Sequence, residues 1–146
     1  MIRRFSFADL DRILEIERQA FPKSPYDLAT FLNLYRLYPE TFWVYVERTH
    51  GWEKGPILGY IVFARNGHII SIAVDPARGR NGIGKMLLEK AMNHPRIKKV
   101  RAEVRVSNKG AQSFYEEMGF RVVGVISNYY GDEDALIVEK IPGKGS

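Results

Sequence analysis

The amino-acid sequence predicts an α/β protein of mixed α+β type, in which helices cover both faces of a mixed sheet. Hydrophobic periodicity alternates between helical and strand spacing and indicates the element order β-α-α-β-β-β-α-β-α-β-β. The length of 146 residues suits one domain with a substantial core. We expect residues 1–142 to form this single domain and residues 143–146 to form a flexible tail.

Two helices are predicted near the start of the chain. Ser6 followed by Asp9 matches a capping box, and apolar residues then recur at helical spacing. Pro25 and Asp27 indicate the start of the second helix, with the proline at its first helical position. Glu17 lies on the apolar stripe of the first helix. A salt bridge near the helix end is the favoured explanation of this carboxylate, and a polar pocket is the alternative.

The rest of the chain alternates strands with two more helices. The run IISIAV is typical of a strand buried on both faces. One helix covers GKMLLEKAMNH and stops before Pro95, and the next ends at Gly119, the usual residue after a helix C-terminus. The predicted strands in this part cover residues 42–47, 57–66, 69–74, 100–106, 121–130 and 134–141.

Composition excludes several classes of protein. The chain has no cysteine, which excludes disulfides, a cysteine nucleophile and thiolate metal sites, and its three histidines lack the spacing of metal ligands. We therefore expect no metal. No apolar run approaches the ~20 residues of a membrane helix, and the start lacks a signal sequence, so we expect a soluble cytoplasmic protein without membrane contact. The net charge of +5 permits anionic partners without choosing among them.

The most informative stretch is the strand–loop–helix segment IISIAV-DPARGRN-GIGKMLL. A loop rich in glycine and basic residues before a helix N-terminus predicts a phosphate site, because free backbone N–H groups and the helix dipole favour anions. The glycines read GxxGxG and do not match the dinucleotide fingerprint. Met86 stands where a nucleotide P-loop needs a hydroxyl. A glycine-rich turn with solvated charges remains the alternative.

Three segments resemble one known family. V-D-P-x(5)-G-I-G-K-x-L-L resembles the pyrophosphate loop of the GCN5-related N-acetyltransferase superfamily, although Gly79 stands where that family has arginine or glutamine. LEIERQAFPKSPY resembles the first helix and acceptor loop of its N-terminal (α-amino) acetyltransferases. EVRVSNKGAQSFYEEMGF with NYYGDEDALIVEK resembles their second half. The likeness covers nearly the whole chain and is closest to the ribosomal-protein N-terminal acetyltransferases.

The resemblance implies a mostly antiparallel sheet with a parallel central pair of strands, splayed to admit acetyl-CoA. It implies transfer of an acetyl group from acetyl-CoA, by direct attack, to the α-amino group of a protein or peptide, with a ribosomal protein as one candidate. The expected partners are acetyl-CoA and that N-terminus, with a ribosome-associated acceptor as one candidate. Nucleic acid is not expected, and the oligomeric state is open. The residues expected to bind acetyl-CoA are Ile72, Ala73, Val74, Gly79, Arg80, Asn81, Gly82, Ile83, Gly84, Lys85, Asn108 and Tyr115.

The same resemblance assigns two catalytic residues. Glu103, which alternates with basic residues on its strand, is expected to be the general base. Tyr115 lies two helical turns after Asn108 and is expected to be the general acid for the CoA thiolate. The alternatives are a solvated charge for Glu103, core packing for Tyr115 and a helix N-cap for Asn108.

The acceptor is expected to lie between two aromatic walls. The residues of the first wall are Phe21, Pro22 and Tyr26, and those of the second are Tyr129 and Tyr130. Adjacent tyrosines on a strand point to opposite faces, so one of the second pair would contact the acceptor. Two other functions stay open at this point: acetylation of a small-molecule amine or lysine side chain, and a non-catalytic acyl-CoA or nucleic-acid-binding module.

Overall fold

The computed structural model describes residues 1–48, 55–78 and 82–143, and its elements follow the predicted order. Short 3-10 turns precede the first and third helices. Of the predicted tail, residues 144–146 lie outside the described ranges. The elements are β1 (Ile2–Arg4), α1 (Leu10–Ala20), α2 (Leu28–Leu37), β2 (Phe42–Val46), β3 (Ile57–Phe63), β4 (Ile69–Val74), α3 (Ile83–Met92), β5 (Val100–Arg105), α4 (Lys109–Glu117), β6 (Arg121–Ile126) and β7 (Ala135–Lys140).

The strands form two antiparallel sheets that meet at a parallel pair. Strands β1-β2-β3-β4 make the first sheet, and β5-β7-β6 make the second. Strands β4 and β5 meet in parallel at one bridge, between His68 and Arg101, where Arg101 N donates to Gly67 O at 3.0 Å. The two strands belong to separate sheets beyond that bridge. The predicted splayed parallel pair within a mostly antiparallel sheet is therefore confirmed.

Each face of the sheets is covered by two helices. Buried residues of α1 and α2 pack against Phe42 and Tyr60, while α3 and α4 cover the other face with Leu87, Leu88 and Tyr115. This arrangement confirms the prediction of helices on both faces. None of the helices in the described ranges has the length and apolarity needed to cross a membrane.

The two N-terminal helices begin differently. Ser6 N donates to Asp9 Oδ2 at 2.8 Å, as the capping-box pattern predicts. The prediction for the second helix is wrong at Pro25, which lies in the loop before the helix. Asp27 is the N-cap instead, because its Oδ1 accepts from Thr30 N at 2.9 Å and from the Thr30 hydroxyl at 2.7 Å.

Gly67 lies where the two sheets join, and its replacement by alanine is expected to destabilise the protein strongly. Its φ is +94°, and an added Cβ would lie 1.8 Å from Lys99 O on the neighbouring segment. We expect Gly67→Ala to lower the free energy of unfolding by about 4 kcal/mol, measured by urea denaturation. The control is Gly131→Ala, where φ is +85° but nothing lies within 4 Å. Backbone strain alone should cost that variant about 1–2 kcal/mol, and equal losses in both variants would contradict the prediction.

Candidate active site

The gap between β4 and β5 exposes one edge of β4. Asp75 N donates to Leu58 O at 2.7 Å at the end of the β3–β4 ladder. Because paired and unpaired positions alternate in an antiparallel ladder, Ala73 bonds to β3, whereas Ile72 and Val74 turn their N–H and C=O groups toward the gap. Two of the three predicted acetyl-CoA residues on β4 thus lie on an edge that an extended ligand can pair with.

The N-terminus of α3 lies beside the end of this edge. Gly82 is the N-cap residue in the left-handed region, with φ +76°, and an added Cβ there would meet no atom of the described residues within 4 Å. The first-turn amides of Ile83, Gly84 and Lys85 have no partner within the helix, which favours an anion at this position. At Gly84 an added Cβ would lie 3.1 Å from the Phe114 ring, so glycine allows α3 and α4 to pack closely. The predicted loop residues Gly79, Arg80 and Asn81 lie outside the described residues.

Glu103 lies on β5 and faces the side of the sheets that α1 and α2 cover. Its side chain is 11% exposed, and its Oε2 lies 2.8 Å from Nε2 of His68, which is 27% exposed. His68 holds one carboxylate oxygen, and the Tyr129 hydroxyl also interacts with the Glu103 carboxylate, which raises the pKa of Tyr129 after burial. His68 was not among the predicted site residues, because the spacing of the histidines bears only on metal binding. The one sequence signal for His68 was its position at the start of a buried strand.

Tyr115 lies on α4, on the opposite face from Glu103. Its ring packs against Phe114 and Phe120, with centroids 5.3 and 5.1 Å away, and the residue is 5% exposed. Burial, followed by the charge of Glu103, raises the pKa of the Tyr115 hydroxyl. Asn108 caps the same helix, since its Oδ1 accepts from Ala111 N at 3.0 Å. The N-cap function of Asn108 is thus observed, and its contact with acetyl-CoA stays a prediction.

The two tyrosines predicted for the second acceptor wall lie in a turn and not on a strand. Strand β6 ends at Ile126, and Asn128 takes a positive φ of 53°, which reverses the chain. The prediction that Tyr129 and Tyr130 point to opposite faces of a strand is therefore wrong. Their rings contact each other edge to face at 4.9 Å. Burial and the neighbouring Tyr129 raise the pKa of Tyr130 to about 12.

The first predicted wall follows α1 directly. Phe21 is half-buried at the end of α1, Pro22 is exposed, and Tyr26 packs its ring against Phe31 at 5.9 Å. Burial is the main cause that raises the pKa of Tyr26, followed by the carboxylates and tyrosine around it, including Glu17, Tyr129 and Glu103. Arg105 donates to Ser24 at 2.6 Å and to Glu133 at 2.8 Å, so the segments that carry the two walls meet at the end of β5, the strand of Glu103.

Glu17 lies beneath the first wall as a buried carboxylate. It is 2% exposed and accepts hydrogen bonds from the Tyr60 hydroxyl, from Ser71 Oγ at 3.2 Å and from Tyr26 N at 2.9 Å. The favoured prediction of a salt bridge is wrong, and the alternative, a polar pocket, is correct. Three donors from separate elements satisfy the carboxylate without a cation among the described residues.

The comparison with known proteins identifies the family. A model of the acetyltransferase (GNAT) family matches residues 10–120. The chain belongs to this family.

Relatives of this GNAT protein carry more specific names. It is 41% identical to an uncharacterized N-acetyltransferase of Methanocaldococcus jannaschii over 96% of this chain and 90% of the relative. It is 32% identical to an N-alpha-acetyltransferase of Sulfurisphaera tokodaii over 94% of this chain and 90% of the relative. The crystal structure of the Escherichia coli ribosomal-protein-S18-alanine N-acetyltransferase superposes with a TM-score of 0.77 at 26% identity, covering 100% of this chain and 96% of that one. The family and subfamilies indicated by the sequence motifs are confirmed.

Glu17 gives this GNAT domain an expected pH dependence of stability. Burial raises the pKa of Glu17 above its ordinary value of 4.5, and the hydrogen bonds from Tyr60, Tyr26 and Ser71 offset only part of that shift. Since the folded-state pKa is raised, the stabilising contribution is fully present below the unfolded pKa and is lost as the pH rises through the folded pKa. We expect the stability of the natural chain to fall relative to Glu17→Gln as the pH rises above about 4.5, the ordinary pKa of this carboxyl group.

Urea denaturation of both proteins at a series of pH values measures the difference. Glu40→Gln is the control, because Glu40 is exposed in a surface ion pair with Arg65. That variant should follow the pH dependence of the natural chain. A constant difference between the natural chain and Glu17→Gln at every pH would contradict the expected titration.

Proposed function

We propose that this GNAT enzyme transfers the acetyl group of acetyl-CoA to the α-amino group at the N-terminus of a protein or peptide. The observation that carries the proposal is the separation of β4 from β5, which opens the edge of β4 between Glu103 and Tyr115. A gap with a carboxylate on one face and a buried phenol on the other supplies the two groups that acyl transfer to an amine needs. The name of the archaeal N-alpha-acetyltransferase relative supports an α-amine as the acceptor.

Acetyl-CoA is proposed to bind along the open edge and at the start of α3. The free backbone groups of Ile72 and Val74 suit the amides of an extended pantetheine arm, which would add to β4 like another strand. The first-turn amides of α3 suit the pyrophosphate, because a helix N-terminus presents free backbone N–H groups to an anion. The loop residues Gly79, Arg80 and Asn81, together with Asn108, retain the roles that the resemblance implies.

Glu103 is proposed to take the proton from the acceptor amine. An α-amine with a pKa of about 8 is already partly neutral at pH 7, so removing its proton is a modest demand on a carboxylate. A lysine side chain with a pKa near 10.4 would cost about 3 kcal/mol more to deprotonate. His68 acts as a positioning residue, because its Nε2 lies 2.8 Å from Oε2 of Glu103 and orients the carboxylate.

The neutral amine is proposed to attack the thioester carbonyl directly. The N–H groups of Ile72 and Val74 at the open edge are the available donors for the oxyanion. As the C–N bond forms and the C–S bond breaks, the second proton that the nitrogen loses passes to the departing sulfur, so CoA leaves as the thiol. Tyr115 donates a hydrogen bond to this sulfur. Its raised pKa keeps the hydroxyl protonated at the pH at which amines react, and the phenol is a weaker acid than a thiol. Tyr115 therefore stabilises the thiolate mainly through a hydrogen bond.

The acceptor N-terminus is proposed to lie between Tyr26 and the turn that carries Tyr129 and Tyr130, with Phe21 and Pro22 at its margin. A ribosomal protein is one candidate acceptor, because the similar E. coli structure is that of an enzyme named for ribosomal protein S18. The cytoplasmic location expected from the sequence stays a prediction.

Acetylation of a peptide library tests the proposal. The purified protein and acetyl-CoA are incubated with peptides that have free N-termini, beside N-terminally blocked peptides that contain lysine, and products are read by mass spectrometry. Products confined to free α-amines would support the proposal. Modification of lysines, or binding of acetyl-CoA without any product, would shift the function to the lysine, small-molecule or sensor alternatives.

A further inference from the structure

Arg105 joins three parts of the chain at the end of β5. Its side chain is 12% exposed and lies on the same face as Glu103, two residues away. Nη1 donates to carboxylates of Asp132 and Glu133 at 2.8 Å each, and Nη2 donates to Ser24 Oγ at 2.6 Å. The guanidinium therefore bonds both the α1–α2 loop and the β6–β7 turn.

Glu133 provides a second connection between the same segments. Its Oε1 accepts from Ser107 Oγ at 2.9 Å, and its Oε2 accepts from Ser107 N at 3.2 Å. Lys23 Nζ contacts both members of this pair, because it lies 3.5 Å from Glu133 Oε1 and 3.2 Å from Ser107 Oγ. The α1–α2 loop is thus held to the end of β5 and to the β6–β7 turn by two basic side chains.

The connected segments are the ones that carry the acceptor tyrosines. Residues 21–27 contain Tyr26, and residues 128–134 contain Tyr129 and Tyr130. The guanidinium also lies 4.1 Å from the centre of the Tyr130 ring, a cation–π contact that fixes this tyrosine directly. The position of each wall therefore depends on Arg105.

We propose that Arg105 is a positioning residue that fastens residues 21–27 and 128–134 to the end of β5 and thereby sets the shape of the acceptor groove. This inference rests on the proposed function, in which the groove holds an acceptor N-terminus. The planar guanidinium carries several N–H donors in a fixed arrangement, which suits the three oxygen partners and the tyrosine ring. A lysine ammonium cannot meet all of them in the same geometry. The pKa of Glu133, lowered to about 2 mainly by Arg105, keeps this ion pair charged in ordinary assay conditions.

Steady-state kinetics of Arg105→Gln and Arg105→Lys, with a free N-terminal peptide that the natural enzyme acetylates, test the proposal. We expect Arg105→Gln to raise the acceptor KM about 10-fold, while kcat and the acetyl-CoA KM stay within about twofold, because only the groove loses its support. Arg105→Lys should recover part of the loss through its charge. Arg65→Gln is the matched control, since it removes a guanidinium from an exposed ion pair with Glu40 and should change none of these values.

Amide hydrogen exchange supplies a measurement that does not need activity. Exchange at Tyr26, Ser107 and Tyr130 should become faster in Arg105→Gln and stay unchanged in Arg65→Gln. An unchanged acceptor KM, an equal rise in both KM values or unchanged exchange would overturn the proposal. If the natural enzyme acetylates no peptide, the proposed function fails, and exchange alone decides whether Arg105 holds the two segments. If Arg105→Gln does not fold, Glu133→Gln replaces it. We then expect a smaller rise in the acceptor KM, and an unchanged acceptor KM would contradict the inference.

Discussion

Tyr115→Phe is expected to lower kcat by about 100-fold or more while acetyl-CoA affinity stays within about twofold. Phenylalanine keeps the ring packed between Phe114 and Phe120, so the fold and the binding gap should remain. The variant loses the hydroxyl that donates to the departing sulfur, and this donation matters only as the C–S bond breaks. Steady-state kinetics with saturating peptide, combined with calorimetric measurement of acetyl-CoA binding, separates the two effects.

Tyr35→Phe is the matched control for this substitution. Tyr35 packs in an aromatic cluster on the other side of the protein, 5.2 Å from Phe5 between ring centroids. Tyr35→Phe removes a phenolic hydroxyl, as Tyr115→Phe does, and should leave kcat and acetyl-CoA affinity unchanged. A turnover number of Tyr115→Phe within twofold of the natural enzyme would show that the Tyr115 hydroxyl does not stabilise the departing sulfur.

Glu103→Gln is expected to lower kcat/KM by about 100-fold near pH 7, with a smaller deficit near pH 9. The amide has a similar shape to the carboxylate but cannot take the proton of the amine. As the pH rises past the α-amine pKa of about 8, more of the acceptor arrives neutral, so less depends on a base. The measurement is kcat/KM for a free N-terminal peptide at a series of pH values, for both proteins.

The exposed Glu40→Gln variant controls for the loss of one negative charge, and its pH profile should coincide with that of the natural enzyme. A deficit of Glu103→Gln that stays constant across the whole pH range would place the base elsewhere. His68→Gln should give a smaller loss than Glu103→Gln, since His68 only orients the carboxylate through its contact of 2.8 Å.

Helix boundaries show how far local sequence signals extend. The capping box at Ser6 and the glycine after α4 were predicted correctly, because both features depend on backbone bonds within a few residues. The second helix was predicted to begin at Pro25, which is about one turn too early, because Pro25 and Asp27 both signal a helix start within the same short stretch. Only the bond from Thr30 N to the Asp27 carboxylate shows which of them caps the helix.

The acceptor side shows where local signals fail. The apolar and aromatic run after Gly119 predicts one strand through Tyr130, but the chain turns at Asn128. The bonds of this turn close within a few residues, with Gly131 N donating to Asn128 O at 3.0 Å and Tyr130 N to Glu133 O at 3.2 Å. Strand periodicity cannot show where the strand gives way to such a turn, so the arrangement of the two tyrosines became clear only in the structure.

The sequence alone determined the order of elements, the phosphate-loop motif and the family, and it selected Glu103 and Tyr115, because these signals are local spacings and matched motifs. The tertiary structure decided which distant side chains meet. Tyr60 reaches Glu17 across 43 residues, His68 reaches Glu103 across 35, and Arg105 reaches Ser24 across 81. Such contacts depend on strand register and on how the helices pack on the two sheets. Periodicity along a chain does not specify either of these, and both had to be seen in the folded protein.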